Sequence, residues 1–159
     1  MITVSLYKIP LMDKEEYDEL INKNFMSRIA FNGEYPYIAP FLYVFDQKYL
    51  YFLSTKYGNK IQRLKENPKV SVEIEEYAPD LSEYKFVALR GRIVKETDNE
   101  KKKEVRKKFA NLIKSRGLSK NIMAALGLDP DDPLACLVEV DSSFVWKLVD
   151  VKEIIALKN

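Results

Sequence analysis

Two hydrophobic periods divide the 159-residue chain. Asp13-Lys14-Glu15-Glu16 has the form of a capping box, with Asp13 as N-cap and Glu16 three residues on. Tyr17, Leu20, Ile21 and Phe25 follow at helical spacing, which predicts a helix from about 13 to 23. From Phe25 the period shortens. Met26 to Phe31 suits a strand, Asn32-Gly33 is a strong hairpin turn signal, and Tyr35 to Phe45 reads as a second strand rich in aromatic and β-branched residues. Its Pro36 and Pro40 cannot donate to a ladder, so they require an edge or a bulge. Asp46-Gln47-Lys48 turns the chain into a third strand, Tyr49 to Ser54.

Tyr57-Gly58-Asn59 breaks that strand, and Ile61 and Leu64 mark a short helix ended by Asn67-Pro68. Val70, Val72 and Ile74 alternate with Ser71, Glu73 and Glu75, the signature of a half-buried strand. After a loop at Ala78-Pro79-Asp80 comes a strand from Phe86 to Val94, with Gly91 a bulge or close-approach point. Thr97-Asp98-Asn99-Glu100 reads as a second capping box. It opens a helix with Val105, Phe109, Leu112 and Ile113 on one face and lysines on the other, stopping near Gly117. Residues 119 to 127 suit a further short helix and Asp129 to Pro133 a rigid turn. Leu134 to Val151 is predicted as a long final strand, with a bend at Asp141-Ser142-Ser143. Without repeats or linkers, this order predicts one domain over 1–159. Its fold class is α+β, mainly β: an antiparallel split barrel of six to seven strands with peripheral helices.

Composition narrows the chemistry. The chain has no histidine and one cysteine, Cys136, so histidine-based nucleophile systems, histidine-ligated zinc and thiolate metal clusters are excluded. Cys136, in Leu134 to Val138, reads as a core residue of the final strand. One cysteine allows no internal disulfide, which fits a reducing, cytoplasmic setting. Met1 to Leu6 lacks the pattern of a secretion signal, and no apolar run has membrane-spanning length. A net charge of +2 does not call for nucleic acid. Lys101-Lys102-Lys103 and Arg106-Lys107-Lys108 could form a basic face, but Glu96, Glu100 and Glu104 among them suit a solvated helix surface. Any enzyme here needs an organic cofactor, or bare carboxylates, lysines and tyrosines.

Ser54-Thr55-Lys56-Tyr57-Gly58-Asn59-Lys60 is the segment richest in chemistry. It joins a strand end to a helix start, where backbone N–H groups favour an anion and hydroxyls and a lysine add donors. Ser and Thr are equally common as plain helix caps. The spacing of a Walker A loop and of a dinucleotide fingerprint is absent, which leaves a mononucleotide as the natural ligand if one binds. Tyr35 to Tyr43 is apolar, aromatic and broken by prolines. It suits either the edge of a flat ring or an ordinary proline-broken edge strand.

In order and spacing, Ser27 to Phe31, Tyr35 to Pro40, Leu50 to Ser54, Gly58-x-Lys60 and Asn67-Pro68-x-Val70 resemble the pyridoxamine-phosphate-oxidase-like, FMN-binding split-barrel superfamily. Within it they are most similar to the nitroimidazole-resistance (Nim-type) branch. The resemblance covers about residues 12 to 76. It implies a homodimer with two FMN molecules at the subunit interface; a small-molecule substrate is expected, and from charge and hydropathy no nucleic-acid or membrane partner. By the same resemblance, Ser54, Thr55, Asn59 and Lys60 take the phosphate and ribityl end. Ala39, Pro40 and Phe41 line the ring with Val44 nearby, Arg28 adds charge, and Trp146 either covers the flavin from the other subunit or lies in the core. Many relatives carry a histidine where this chain has Leu53, and some carry one at Ile38 or Ala39, so a histidine-dependent mechanism does not transfer. Residues that bind pyridoxal phosphate have no match, and vitamin B6 oxidation is not expected. The implied activity is FMN-dependent oxidoreduction; the alternatives are a flavin carrier or sensor without turnover, or a deazaflavin reductase on the same fold. Haem is disfavoured by the missing histidine.

Overall fold

The computed structural model describes residues 2–159; Met1 lies outside them. Six strands, β1 (Met26–Phe31), β2 (Tyr37–Phe45), β3 (Leu50–Thr55), β4 (Lys69–Tyr77), β5 (Tyr84–Lys95) and β6 (Ser143–Lys158), carry the fold. They close into an antiparallel barrel in the order β1-β2-β3-β6-β5-β4. Helices α1 (Lys14–Lys23), α2 (Asn59–Glu66), α3 (Asn99–Ser115) and α4 (Cys136–Glu139) lie around it, with a 3₁₀ segment at Lys120–Leu126. Among the described residues no helix is long and apolar enough to cross a membrane.

Strand alternation divides the apolar residues into two cores. Ile29, Phe31, Phe41, Tyr43, Phe52, Val72, Val87 and Trp146 fill the barrel interior, joined by Leu20 and Ile21 of α1 and by Ile61 and Leu64 of α2. Leu42, Val44, Tyr51, Leu53 and Val145 point out of the same strands into a second core under Val105, Phe109 and Ile113 of α3. Burying side chains on both faces explains why β3 is continuously apolar from Leu50 to Leu53.

The expected capping box of α1 forms: Asp13 accepts from Glu16 N–H and Glu16 reaches back to the cap. Gly91 sits at a register shift between Arg90 and Arg92, where a Cβ would stand 2.6 Å from Val149 O. Four expectations change. Asn32-Gly33 does not make a two-residue turn: Phe31 pairs with Tyr37 across a loop of Asn32 to Pro36. Arg63 of α2 holds that loop open by donating to Asn32 O (3.2 Å) and Tyr35 O (2.8 Å). The cap of α3 is Asp98, one residue later than Thr97, with Asp98 accepting from Glu100 N–H. Residues 134 to 140 are not strand: after Pro133 the chain coils into α4, and Cys136 N–H donates to Pro133 O. Cys136 is accordingly half-buried on this turn. Finally, β6 begins at Ser143 and runs past Val151 to Lys158, bending at Asp150, where φ is +51°.

Candidate functional site

The barrel is split on one side. β2 pairs with β3 only at Tyr43–Phe52, Val44–Tyr51 and Phe45–Leu50. Beyond that point Leu53, Ser54 and Thr55 stay with β6 alone, opposite Val145, Phe144 and Ser143. Upstream, Tyr37 to Leu42 stay with β1 alone. The side of β2 that would face β3 therefore lacks a ladder over Tyr37 to Leu42, and Pro40, which has no N–H, is tolerated there. The segment after Thr55 leaves the barrel at this split and enters α2.

The helix start is open. Gly58 is the N-cap residue of α2, at φ +107°, a conformation that favours glycine, and it supplies no side-chain cap. The first turn of α2 has no acidic residue. Lys60 folds back over the loop. Its Nζ donates to Thr55 Oγ1 at 2.8 Å and lies 3.5 Å from Tyr57 O, and Thr55 Oγ1 donates to Tyr57 O at 3.2 Å. Burial pulls the Lys60 ammonium below its ordinary pKa. A cation that is partly desolvated beside an uncapped helix N-terminus is an arrangement that an anion would relieve.

Thr55, Asn59 and Lys60 are thus brought to one loop, with Asn59 exposed as the first residue of α2. Ser54 is not brought there: it is fully buried, and its Oγ donates to Thr55 O at 2.8 Å. The β2 residues do not form one wall, because neighbours on a strand face opposite ways. Ala39 and Phe41 turn into the barrel, Pro40 is exposed outside, and Val44 lies under α3. What β2 offers the split is its unpaired backbone edge. Arg28 is on the outer surface, ion-paired with Glu75 and 3.6 Å from Glu73. Trp146 is enclosed in the barrel core with 0% exposure, packed against Phe31 and Phe41.

Sequence reasoning missed a buried network on the far side of the loop. Arg106 of α3, 3% exposed, donates to Ser143 Oγ (2.9 Å), Ser143 O (2.6 Å), Val140 O (3.3 Å) and Asp141 Oδ1 (2.7 Å). Lys56, in the loop between β3 and α2, donates to Asp141 O at 2.9 Å. Arg106 was legible only as one basic residue among the α3 lysines. Several of those lysines are paired: Lys101 with Asp46 and Glu104, Lys102 with Asp141, Lys103 with Glu139. A larger groove, about 620 Å³, crosses the outer face among Ala30, Asn32, Lys69, Arg90, Arg92 and Lys152 and includes none of the predicted site residues.

A six-stranded barrel split beside an open helix N-terminus defines an anion-competent split β-barrel. The family model described as pyridoxamine 5'-phosphate oxidase matches residues 13–132, and the chain belongs to that family. An uncharacterised protein of Rhizobium meliloti is 33% identical over 85 residues, 53% of this chain; the match spans about half (55%) of that relative's length. Among solved structures, an FAD-binding protein of Mesorhizobium loti superposes with a TM-score of 0.70 at 20% identity, over 95% of this chain and 98% of that one. A protein assigned to 5-nitroimidazole antibiotic resistance from Bacteroides thetaiotaomicron gives 0.60 at 16% identity, over 99% and 98%. An FAD-binding protein of Mycobacterium smegmatis gives 0.61 at 10% identity, over 96% and 99%.

Proposed function

We propose that this chain is a flavoprotein that binds FMN at the barrel split and transfers hydride or electrons to a small molecule in the cytoplasm. The single observation that carries the reading is the open N-terminus of α2 with Lys60 folded against Thr55. A phosphate there would accept from the first N–H groups of α2 and from Lys60, Thr55 and Asn59. The isoalloxazine ring would lie along the unpaired edge of Tyr37 to Leu42, with Pro40 against it. A second copy of the chain would cover the other side, giving a homodimer.

The flavin supplies the redox chemistry, and the protein supplies orientation and electrostatics. With no histidine, a proton near the ring would come from solvent, Tyr37 or Tyr57. Tyr43 is ruled out of that role: its hydroxyl is buried and committed to Ile21 O at 2.7 Å. FAD is a second reading, favoured by the two similar structures described as FAD-binding.

The purified protein should show flavin absorption, and chromatography of the released cofactor separates FMN from FAD. Combining Lys60→Ala with Thr55→Ala should weaken binding roughly 10- to 100-fold, the scale of lost charge-assisted hydrogen bonds. Unchanged affinity would overturn the phosphate placement. A colourless protein that ignores added FMN and FAD would overturn the function. Anaerobic reduction by NADH or NADPH and reoxidation by a quinone or nitro compound then separates an oxidoreductase from a passive carrier.

A further inference from the structure

Helix α2 carries the proposed phosphate site, yet little packing holds it in place. None of its side chains is fully buried, and only Ile61 and Leu64 lean on the barrel core. A helix this short is marginal on its own, so its position depends on polar contacts. Arg63 makes them. Its Nη1 donates to Asn32 O at 3.2 Å and to Tyr35 O at 2.8 Å. Its guanidinium carbon lies 5.6 Å from the centre of the Tyr37 ring. Gly33 makes room, because a Cβ there would collide with the guanidinium. The loop is fixed on its other side as well: Asn32 Nδ2 donates to Lys69 O at 2.7 Å, at the start of β4.

These contacts join the two halves of the proposed cofactor site. Arg63 stands one helical turn, roughly 5.4 Å along the axis, beyond Asn59, the first residue of α2. Tyr37 is the first residue of β2 and opens its unpaired edge. One partner of the clamp therefore belongs to the phosphate end and the other to the ring end. In FMN the phosphate and the ring are covalently joined, so a helix that shifts against β2 cannot serve both ends at once. Linked contacts reinforce one another only where geometry lets both form together. We propose that Arg63 is a positioning residue: it fixes the spacing between the phosphate site and the ring edge, with Gly33 admitting it, and so sets a preference for FMN over unphosphorylated riboflavin. This rests on the flavin reading above.

Fluorescence titration of protein freed of bound flavin tests it. Arg63→Met and Gly33→Ala should each weaken FMN roughly tenfold and leave riboflavin unchanged. Inorganic phosphate, followed by the Thr55 and Asn59 amide shifts in ¹⁵N–¹H spectra, should bind both variants as it binds wild type. A weakened whole with both halves intact is the signature of lost spacing; a merely structural loss would weaken all three ligands. Lys60→Ala is the contrast, and should weaken FMN and inorganic phosphate together. Gly33→Ala displaces only the tip of Arg63, so it carries the test if Arg63→Met does not fold. Unchanged FMN affinity in Gly33→Ala, or a loss shared equally by riboflavin or phosphate, overturns the positioning role and leaves the flavin reading standing. A wild-type protein that binds neither FMN nor riboflavin overturns both.

Discussion

Lys60 serves two opposed demands. As a free side chain it is a partly buried ammonium, and burial alone lowers its pKa from the ordinary 10.5. The unfolded chain keeps the proton at pH values where the folded chain has begun to release it. Below the folded pKa both states are charged, and the full desolvation cost falls on the fold; that cost is relieved as pH rises through the folded value. Lys60→Met should therefore raise the melting temperature of the flavin-free protein at pH 7, with the gain shrinking toward pH 10.5. The same variant should bind flavin more weakly, a stability gain against function. Thermal melts across that pH range check the first half; a variant less stable than wild type at pH 7 would refute it. At this scale the sequence revealed which residues matter but not where they point. Thr55 and Lys60 converge as the loop chemistry suggested. Ser54 turns inward, because facing on a strand depends on parity, and a one-residue change of register reverses it.

Arg106 shows what an element needs that its own pattern cannot reveal. It lies on the lysine-rich run of α3 but points into the protein, where it ties α3 to the turn between α4 and β6 through the carbonyls of Val140 and Ser143. Arg106→Met would leave both carbonyls and Ser143 Oγ without this donor, a loss of about 2–4 kcal/mol. Arg106→Lys should not restore it, since one ammonium cannot reproduce the guanidinium fork. Urea denaturation measures the loss, and limited proteolysis should find new cleavage between Val140 and Ser143; a change below about 1 kcal/mol would mean that the network is incidental. The same region is where element prediction failed. Leu134 to Val138 is as apolar as a buried strand, and periodicity cannot separate a short buried helix from a strand; Pro133 at the helix entrance decided it. Strands β1, β3, β4 and β5 were legible because one face or both had to be apolar. The Lys56–Asp141 contact, between residues far apart in sequence, had no local signal at all.

The barrel as a whole has two unlike outer sides. One is roofed by α3, which buries Leu42, Val44, Leu53 and Val145. The other is crossed by two register rows, Ile38–Ala30–Ser71–Arg90–Glu153 and Pro40–Arg28–Glu73–Ala88–Ile155. On this side Ile38 is 62% exposed and Met26 41% exposed. Exposed apolar side chains supply the contact surface where a strand face meets a partner, although singly they are common on any surface. Here the ion pairs of Arg28 with Glu73 and Glu75 lie among them, as polar groups do in such contacts. If this side joins two copies and the flavin lies between them, assembly and cofactor affinity are linked: a ligand bound only by the dimer must stabilise it. Ile38→Asp places a charge in the contact without touching either core. It should shift the protein from twice the 18.5 kDa chain mass toward the monomer in sedimentation velocity, and added FMN should pull it back toward the dimer. Flavin affinity should then rise with protein concentration in the variant more steeply than in wild type. A wild-type protein that sediments at 18.5 kDa with flavin bound would break the link, because one barrel would then hold the cofactor without a second copy.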